Sequence, residues 1–209
     1  NRNDNPRVSE KTKKAVHDLA KKMHYHPNLI ARAMVKKRTS LIGLIISDIM
    51  SSFFPQIIQG IEDLLTAQAY SIIVCSTNND AGRERDYLRM LREKRVDGII
   101  ADTVESDENK DLWEDIVARK VPAVTILNIP PIKGLCNIKV DNIMGGFLAT
   151  EHLIKTGHQI IGHLAGPERF QISRDRLKGY KMALKKYNMP SSENIILETT
   201  FDWEAGYNN

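Results

Sequence analysis

Six histidines, two cysteines and several acidic pairs could hold a metal or move a proton, but their spacing does not gather them. His24 and His26 flank Tyr25 in a turn. A helical zinc pair needs a four-residue spacing with a glutamate beside it. His152, His158 and His163 fall on a helix, in a turn and at a strand end, and Glu62-Asp63 and Asp107-Glu108 read as solvated faces or helix starts. Cys75 lies inside an apolar strand pattern and reads as a small buried hydrophobe; with Cys136 it makes no disulfide framework, which fits a reducing cytosol. No Gly-x-Gly-x-x-Gly follows a strand, since Asp141–Gly146 has paired glycines at the wrong spacing. There is no phosphate-loop Gly-Lys-Ser/Thr and no Gly-x-Ser-x-Gly elbow. The expectation is no catalytic group, no metal, no cofactor and no enzyme activity.

The chemistry that is present is electrostatic. Residues 1–40 hold 11 Lys/Arg against 3 Asp/Glu, a net of +8, so the remainder of a chain with net charge +4 carries −4. Charge segregated in this way suits a module that faces a polyanion. The segment is patterned as helix. Ser9 is placed to cap a helix over 9–24, and Glu10 suits its positive N-terminus. Thr12, Ala15, Val16, Leu19, Ala20 and Met23 recur at helical spacing, with most lysines off that stripe. Pro27 breaks the pattern, and Asn28 can cap a second helix over about 29–36. That helix is short of the roughly 12–15 residues at which isolated helices become marginal, so it needs a partner to order. Lys36, Lys37 and Arg38 add attraction for phosphate without sequence information.

From Leu41 the period changes. Leu41-Ile42-Gly43-Leu44-Ile45-Ile46 is a continuous apolar run, the mark of a strand buried on both faces. Helix Phe54–Gln68, strand Ser71–Ser76, helix Gly82–Lys94, strand Gly98–Ala101, helix Asp107–Arg119 and strand Ala123–Leu127 follow. Pro130-Pro131 and Gly134 mark a linker. Strand Asn137–Val140, helix Asn142–Thr156, strand Gln159–Leu164, helix Ser173–Tyr187 and strand Asn194–Glu198 complete the pattern. Strands alternating with helices predict parallel sheets covered by helices, and the linker predicts two lobes with a cleft between them. No apolar run approaches the roughly 20 residues of a membrane-spanning helix.

In order and spacing these residues resemble the lactose-repressor (LacI) family of bacterial transcription regulators. The likeness runs through Val8-Ser9-Glu10-Lys11-Thr12, Tyr25-His26-Pro27-Asn28, Ala31-Arg32-Ala33-Met34, Ile42-Gly43-Leu44-Ile45 and Ser51-Ser52-Phe53-Phe54. It continues through Lys94–Ile100, Val140-Asp141-Asn142, Gly157-His158, Leu164-Ala165-Gly166-Pro167, Arg176–Tyr180 and Gly206-Tyr207. The resemblance implies an α/β, periplasmic-binding-protein-like, two-lobed parallel-sheet core whose second lobe is incomplete. A small helical DNA-binding remnant and a hinge helix precede it. The implied domains are 1–26 (remnant of a helix-turn-helix), 27–40 (hinge helix and linker), 41–136 (first lobe) and 137–209 (part of the second lobe).

By position in the motifs, the resemblance implies that Ser9, Thr12, Tyr25, Asn28, Ala31 and Met34 meet DNA. Hydroxyls and a helix N-terminus suit phosphate, and Met34 suits an apolar wedge between base steps. It implies that Phe53, Phe54, Asn128, Arg176 and Phe201 face an effector in the cleft, with aromatic faces for a sugar or base and a guanidinium for paired oxygens. Bland alternatives stay open: Ser9 as a cap alone, Met34 packed in a dimer, the phenylalanines as core, Arg176 as a surface ion pair. The family often carries Asp where this chain has Leu127 and Asn128, and Phe170-Gln171-Ile172 lacks polar groups that some members have. The implied function is a cytoplasmic, nucleoid-associated repressor, a homodimer on double-stranded operator DNA controlled by a sugar-like effector and touching no membrane. A periplasmic-type sugar-binding protein is the competing reading, and a sugar-metabolising α/β enzyme a more distant one.

Overall fold

A computed structural model describes residues 9–25, 33, 35, 38–104, 107–126, 132–189, 195–201 and 203–208. The chain divides into two compact units, Asn1–Thr39 and Ser40–Asn209. In the first unit, helix α1 spans Glu10–Lys22 with no buried residue.

The second unit opens with β1 (Leu41–Ile46). Then come α2 (Phe54–Ala67), β2 (Ser71–Ser76), α3 (Ala81–Glu93) and β3 (Gly98–Asp102). A 3-10 turn (Asp107–Asn109) leads into α4 (Lys110–Ala118), followed by β4 (Ala123–Ile126) and β5 (Cys136–Ile138). All five strands are parallel, in the order β2-β1-β3-β4-β5. The apolar run of β1 explains its place inside the sheet, between β2 and β3. Ile45 faces Leu88, Leu91 and Trp113 of α3 and α4, while Leu44 and Ile46 face Phe54 and Ile58 of α2. Full burial of each such side chain contributes about 1.5–3 kcal/mol. Asp80 fixes the start of α3, its Oδ1 accepting from the Arg83 N–H at 2.7 Å. Ala69, Arg95 and Lys120 take left-handed conformations in the turns after α2, α3 and α4.

The remainder comprises α5 (Asn142–Lys155), β6 (His163–Ala165), α6 (Gln171–Lys186), β7 (Ile196–Glu198) and α7 (Trp203–Asn208). β6 and β7 form a second, two-stranded parallel sheet. Tyr180 anchors α6 to it: the ring stacks on His163 with centroids 5.0 Å apart, and the hydroxyl donates to the Ile161 carbonyl at 2.8 Å. α5 and α6 cross at two glycines. A Cβ on Gly146 would strike the Arg176 backbone, and one on Gly179 would sit on the Ile143 carbonyl oxygen.

Two expectations shift. The strand expected at Asn137–Val140 to begin the second lobe is Cys136–Ile138, and it pairs with β4 as the fifth strand of the first sheet. The strand expected from Gln159 starts only at His163, because pairing with β7 begins there. Among the described residues no helix is long and apolar enough to cross a membrane.

Candidate functional site

In the first unit the candidates gather at the start of α1. Ser9 Oγ accepts from the Thr12 N–H at 3.2 Å and lies 2.9 Å from Thr12 Oγ1. One hydroxyl proton is used between the two side chains and the other remains free to donate outward. Lys13 pairs with Glu10 at 2.6 Å, and Lys21 and Lys22 occupy the last turn, where the helix dipole favours cations. Val16, Leu19, Met23 and Tyr25 are all exposed. Asn28, Ala31 and Met34 lie outside the described residues.

In the second unit the chemistry stands beyond the carboxyl ends of the strands, where open parallel sheets place their ligands. The loop from β1 to α2 is ordered by its own side chains and by Ser76 at the end of β2. Met50 N–H donates to Asp48 Oδ1 at 2.8 Å, Phe53 N–H to Ser51 Oγ at 3.3 Å, and Ile49 N–H to Ser76 Oγ at 3.2 Å. Phe53 is 49% exposed and Phe54 only 3%, the two rings meeting edge to face at 5.2 Å. Phe54 is therefore a core residue that backs Phe53 rather than presenting a face of its own. Asn128 lies outside the described residues.

Asp102 ends β3 at 5% exposure. Burial pushes its carboxyl up to about 6, against the hydroxyl and N–H of Ser47, which favour the charged form. Glu84, 1% exposed, accepts from the Val104 N–H at 2.6 Å and from the Trp113 indole N–H at 3.0 Å. Burial raises its pKa, these two hydrogen bonds oppose the rise, and the charge of Asp102 adds to it. Two buried acids thus stand near the end of one strand. Glu84 ties α3, α4 and the segment after β3 together. Asp102 ties β3 to the exit of β1.

At the second sheet, Arg176 Nε donates to Asn142 Oδ1 at 2.9 Å, joining α6 to the start of α5. Asp141 caps that start by accepting from the Met144 N–H at 2.8 Å. Partial burial lowers the pKa of Arg176. Burial first, and the Arg176 charge second, hold His163 below the ordinary imidazole value. Phe201 is half exposed and lies 5.7 Å from the Phe170 ring, which Arg169 covers at 4.8 Å. Arg176 and Phe201 thus stand at the second sheet, and Phe53 at the first.

Sequence reasoning missed Asp102, Glu84, Asn142 and His163 as parts of this arrangement. The first had a signal, an acid closing the apolar run of Gly98–Ala101. Among the described residues no group of three or more His, Cys, Asp or Glu side chains could hold a metal ion.

A parallel α/β core with Phe53 beyond a strand end is the architecture in which open sheets place ligands in other proteins. Residues 39–209 match the profile of "Periplasmic binding proteins and sugar binding domain of LacI family", and the chain belongs to that family. It is similar to the HTH-type transcriptional regulator DegA of Bacillus subtilis, at 31% identity over 98% of this chain and 61% of that protein. It is similar to the HTH-type transcriptional repressor PurR of Photobacterium profundum, at 35% identity over 95% of this chain and 59% of that protein. Among solved structures, a LacI family transcriptional regulator from Enterococcus faecium with bound ribose superposes with a TM-score of 0.68 at 31% identity. That superposition covers 80% of this chain and 60% of the other. The chain thus spans about three-fifths of the length of these relatives.

Proposed function

We propose that this chain belongs to a sequence-specific, DNA-binding transcriptional repressor whose operator affinity is set by a small-molecule effector held at the strand ends of the core. The carrying observation is the start of α1, where paired Ser9 and Thr12 hydroxyls cap the N-terminus of an exposed basic helix. A phosphate there meets a free hydroxyl proton, the helix dipole and a net +8 segment. Segments 1–26 and 27–40 then serve DNA, with Tyr25, Asn28, Ala31 and Met34 toward the duplex. Segments 41–136 and 137–209 hold the effector, with Phe53, Asn128, Arg176 and Phe201 toward it and Phe54 behind Phe53. The working form is a cytoplasmic homodimer, as two-fold operators require in this motif class. The effector is sugar-like, a reading supported by the ribose bound to the Enterococcus relative. It acts through its differential affinity for two core arrangements.

The test is binding of the complete gene product to genomic DNA fragments, followed by fluorescence anisotropy on the selected sequence across a salt series. Steep loss of affinity with salt and a shift on adding one carbohydrate of a panel are expected. No retention of any fragment at low salt would refute the proposal. Amide exchange over 27–40 should slow on operator DNA, and equal protection with and without DNA would remove the conditional hinge.

A further inference from the structure

A groove runs along α6 on the side that overhangs β7, and neither the family likeness nor the proposed effector residues account for it. Its volume is about 630 Å³, within the range of small-ligand pockets. Three features define its chemistry. First, Lys178, Lys181 and Lys185 line it from one face of α6, all exposed and, among the described residues, without a carboxylate partner. Cations spaced three and four residues apart on a helix repel one another, so an anion between them relieves a standing cost. Second, Leu177, Met182 and Ile196 give it apolar walls. Third, at the end near β6 the groove reaches Gly166, against which the Phe201 ring packs. A Cβ there would strike the Phe201 ring and fall 2.7 Å from Ser173 Oγ. Ser173 lines this end at 3% exposure, and among the described residues its hydroxyl has no hydrogen-bond partner. A buried polar group left unpaired is costly, and a ligand oxygen reaching it recovers that cost.

We propose that this groove binds a small organic anion, its carboxylate, sulfonate or phosphate between Lys181 and Lys185 and its body along Leu177 and Met182 toward Ser173. The polarity follows from the charges: at the Gly166 end Glu168 and Glu198 outnumber one cation, Arg174, and the Glu198 carboxylate already accepts from the Glu168 N–H at 3.1 Å. The negative end therefore goes to the lysines. The groove shares α6 with Arg176, which leaves the helix on the α5 side to reach Asn142. An occupant that shifts α6 also shifts that contact, so the site is placed to modulate the core. The inference stands independently of the DNA-binding reading.

The test uses the complete gene product with its methionine methyls isotopically labelled. The probe is 1-anilinonaphthalene-8-sulfonate, an apolar body with one sulfonate. The Met182 methyl, assigned through Met182→Leu, should shift in a saturable titration. Lys181→Gln with Lys185→Gln should weaken that titration at least tenfold while leaving the thermal melt in place. Uncharged N-phenyl-1-naphthylamine should bind at Met182 at least tenfold more weakly than the sulfonate. A Met182 signal that never moves, lysine variants within twofold of the parent, or equal binding of the uncharged probe would each overturn the proposal.

Discussion

Asp102 makes the core's stability depend on pH in a direction opposite to that of a salt-bridged acid. Its carboxyl titrates near 6 in the folded chain, against an ordinary value of 3.8, because burial outweighs the two contacts from Ser47. A raised acid binds its proton more tightly when folded. Its stabilising contribution is therefore complete below the unfolded value and is lost as pH rises through about 6. At about 1.4 kcal/mol for each tenfold change, the interval corresponds to about 3 kcal/mol. Asp102→Asn keeps the shape and an acceptor for Ser47 but removes the charge. It also relieves Glu84, whose pKa the Asp102 charge raises further. The expected outcome is a variant more stable than the parent at pH 7.5 by up to about 3 kcal/mol, with most of that gap closed at pH 4. Urea unfolding followed by the fluorescence of Trp113, buried against Glu84, reads both values. A gap of equal size at the two pH values, or a variant less stable at both, would refute the reasoning. The first result would mean that Asp102 titrates normally. The second would mean that the Ser47 contacts to the charged form outweigh burial.

Three further outcomes are expected. Gly179→Ala sets a methyl against the Ile143 carbonyl oxygen and forces α5 and α6 apart. A net loss of about 2 kcal/mol is expected in denaturant unfolding, overpacking outweighing the gain in helix propensity; an unchanged midpoint would show that the helices separate freely. Ser9→Asp retains a good N-cap while replacing a phosphate donor with an anion, so amide protection of α1 should persist while DNA affinity falls at least tenfold; unchanged affinity would reduce Ser9 to a cap. Arg176→Lys preserves the charge but loses the planar fork that reaches Asn142 at 2.9 Å. Effector affinity by calorimetry should drop at least tenfold with the thermal melt retained, and an unchanged affinity would remove Arg176 from the site.

What could be read from the residues is what periodicity encodes. The uninterrupted run of β1 announced a strand buried on both faces, and the regular alternation of apolar runs with amphipathic segments announced parallel sheets. Ser9 announced a helix start, because a cap acts on an amide three residues away. β5 was harder. Cys136–Ile138 is three residues long and exposed at both ends, so its allegiance is set by the free edge of β4, not by its own pattern. The same holds for the start of β6, fixed by where β7 runs alongside it. The candidate site was legible only as a set of chain positions. Phe54 and Phe53 are adjacent and chemically identical, yet the helical turn at Phe54 sends one ring into the core and leaves the other half exposed. Glu84 and Asp102 carried no reading of their own in the sequence, since what perturbs them comes from separate elements: the indole of Trp113, the amide of Val104 and the exit of β1. Side chains that act at a distance in sequence acquire their chemistry from the fold. Asp102 and Gly179, whose substitutions test the core most directly, are accordingly ones whose neighbours in sequence say little about them.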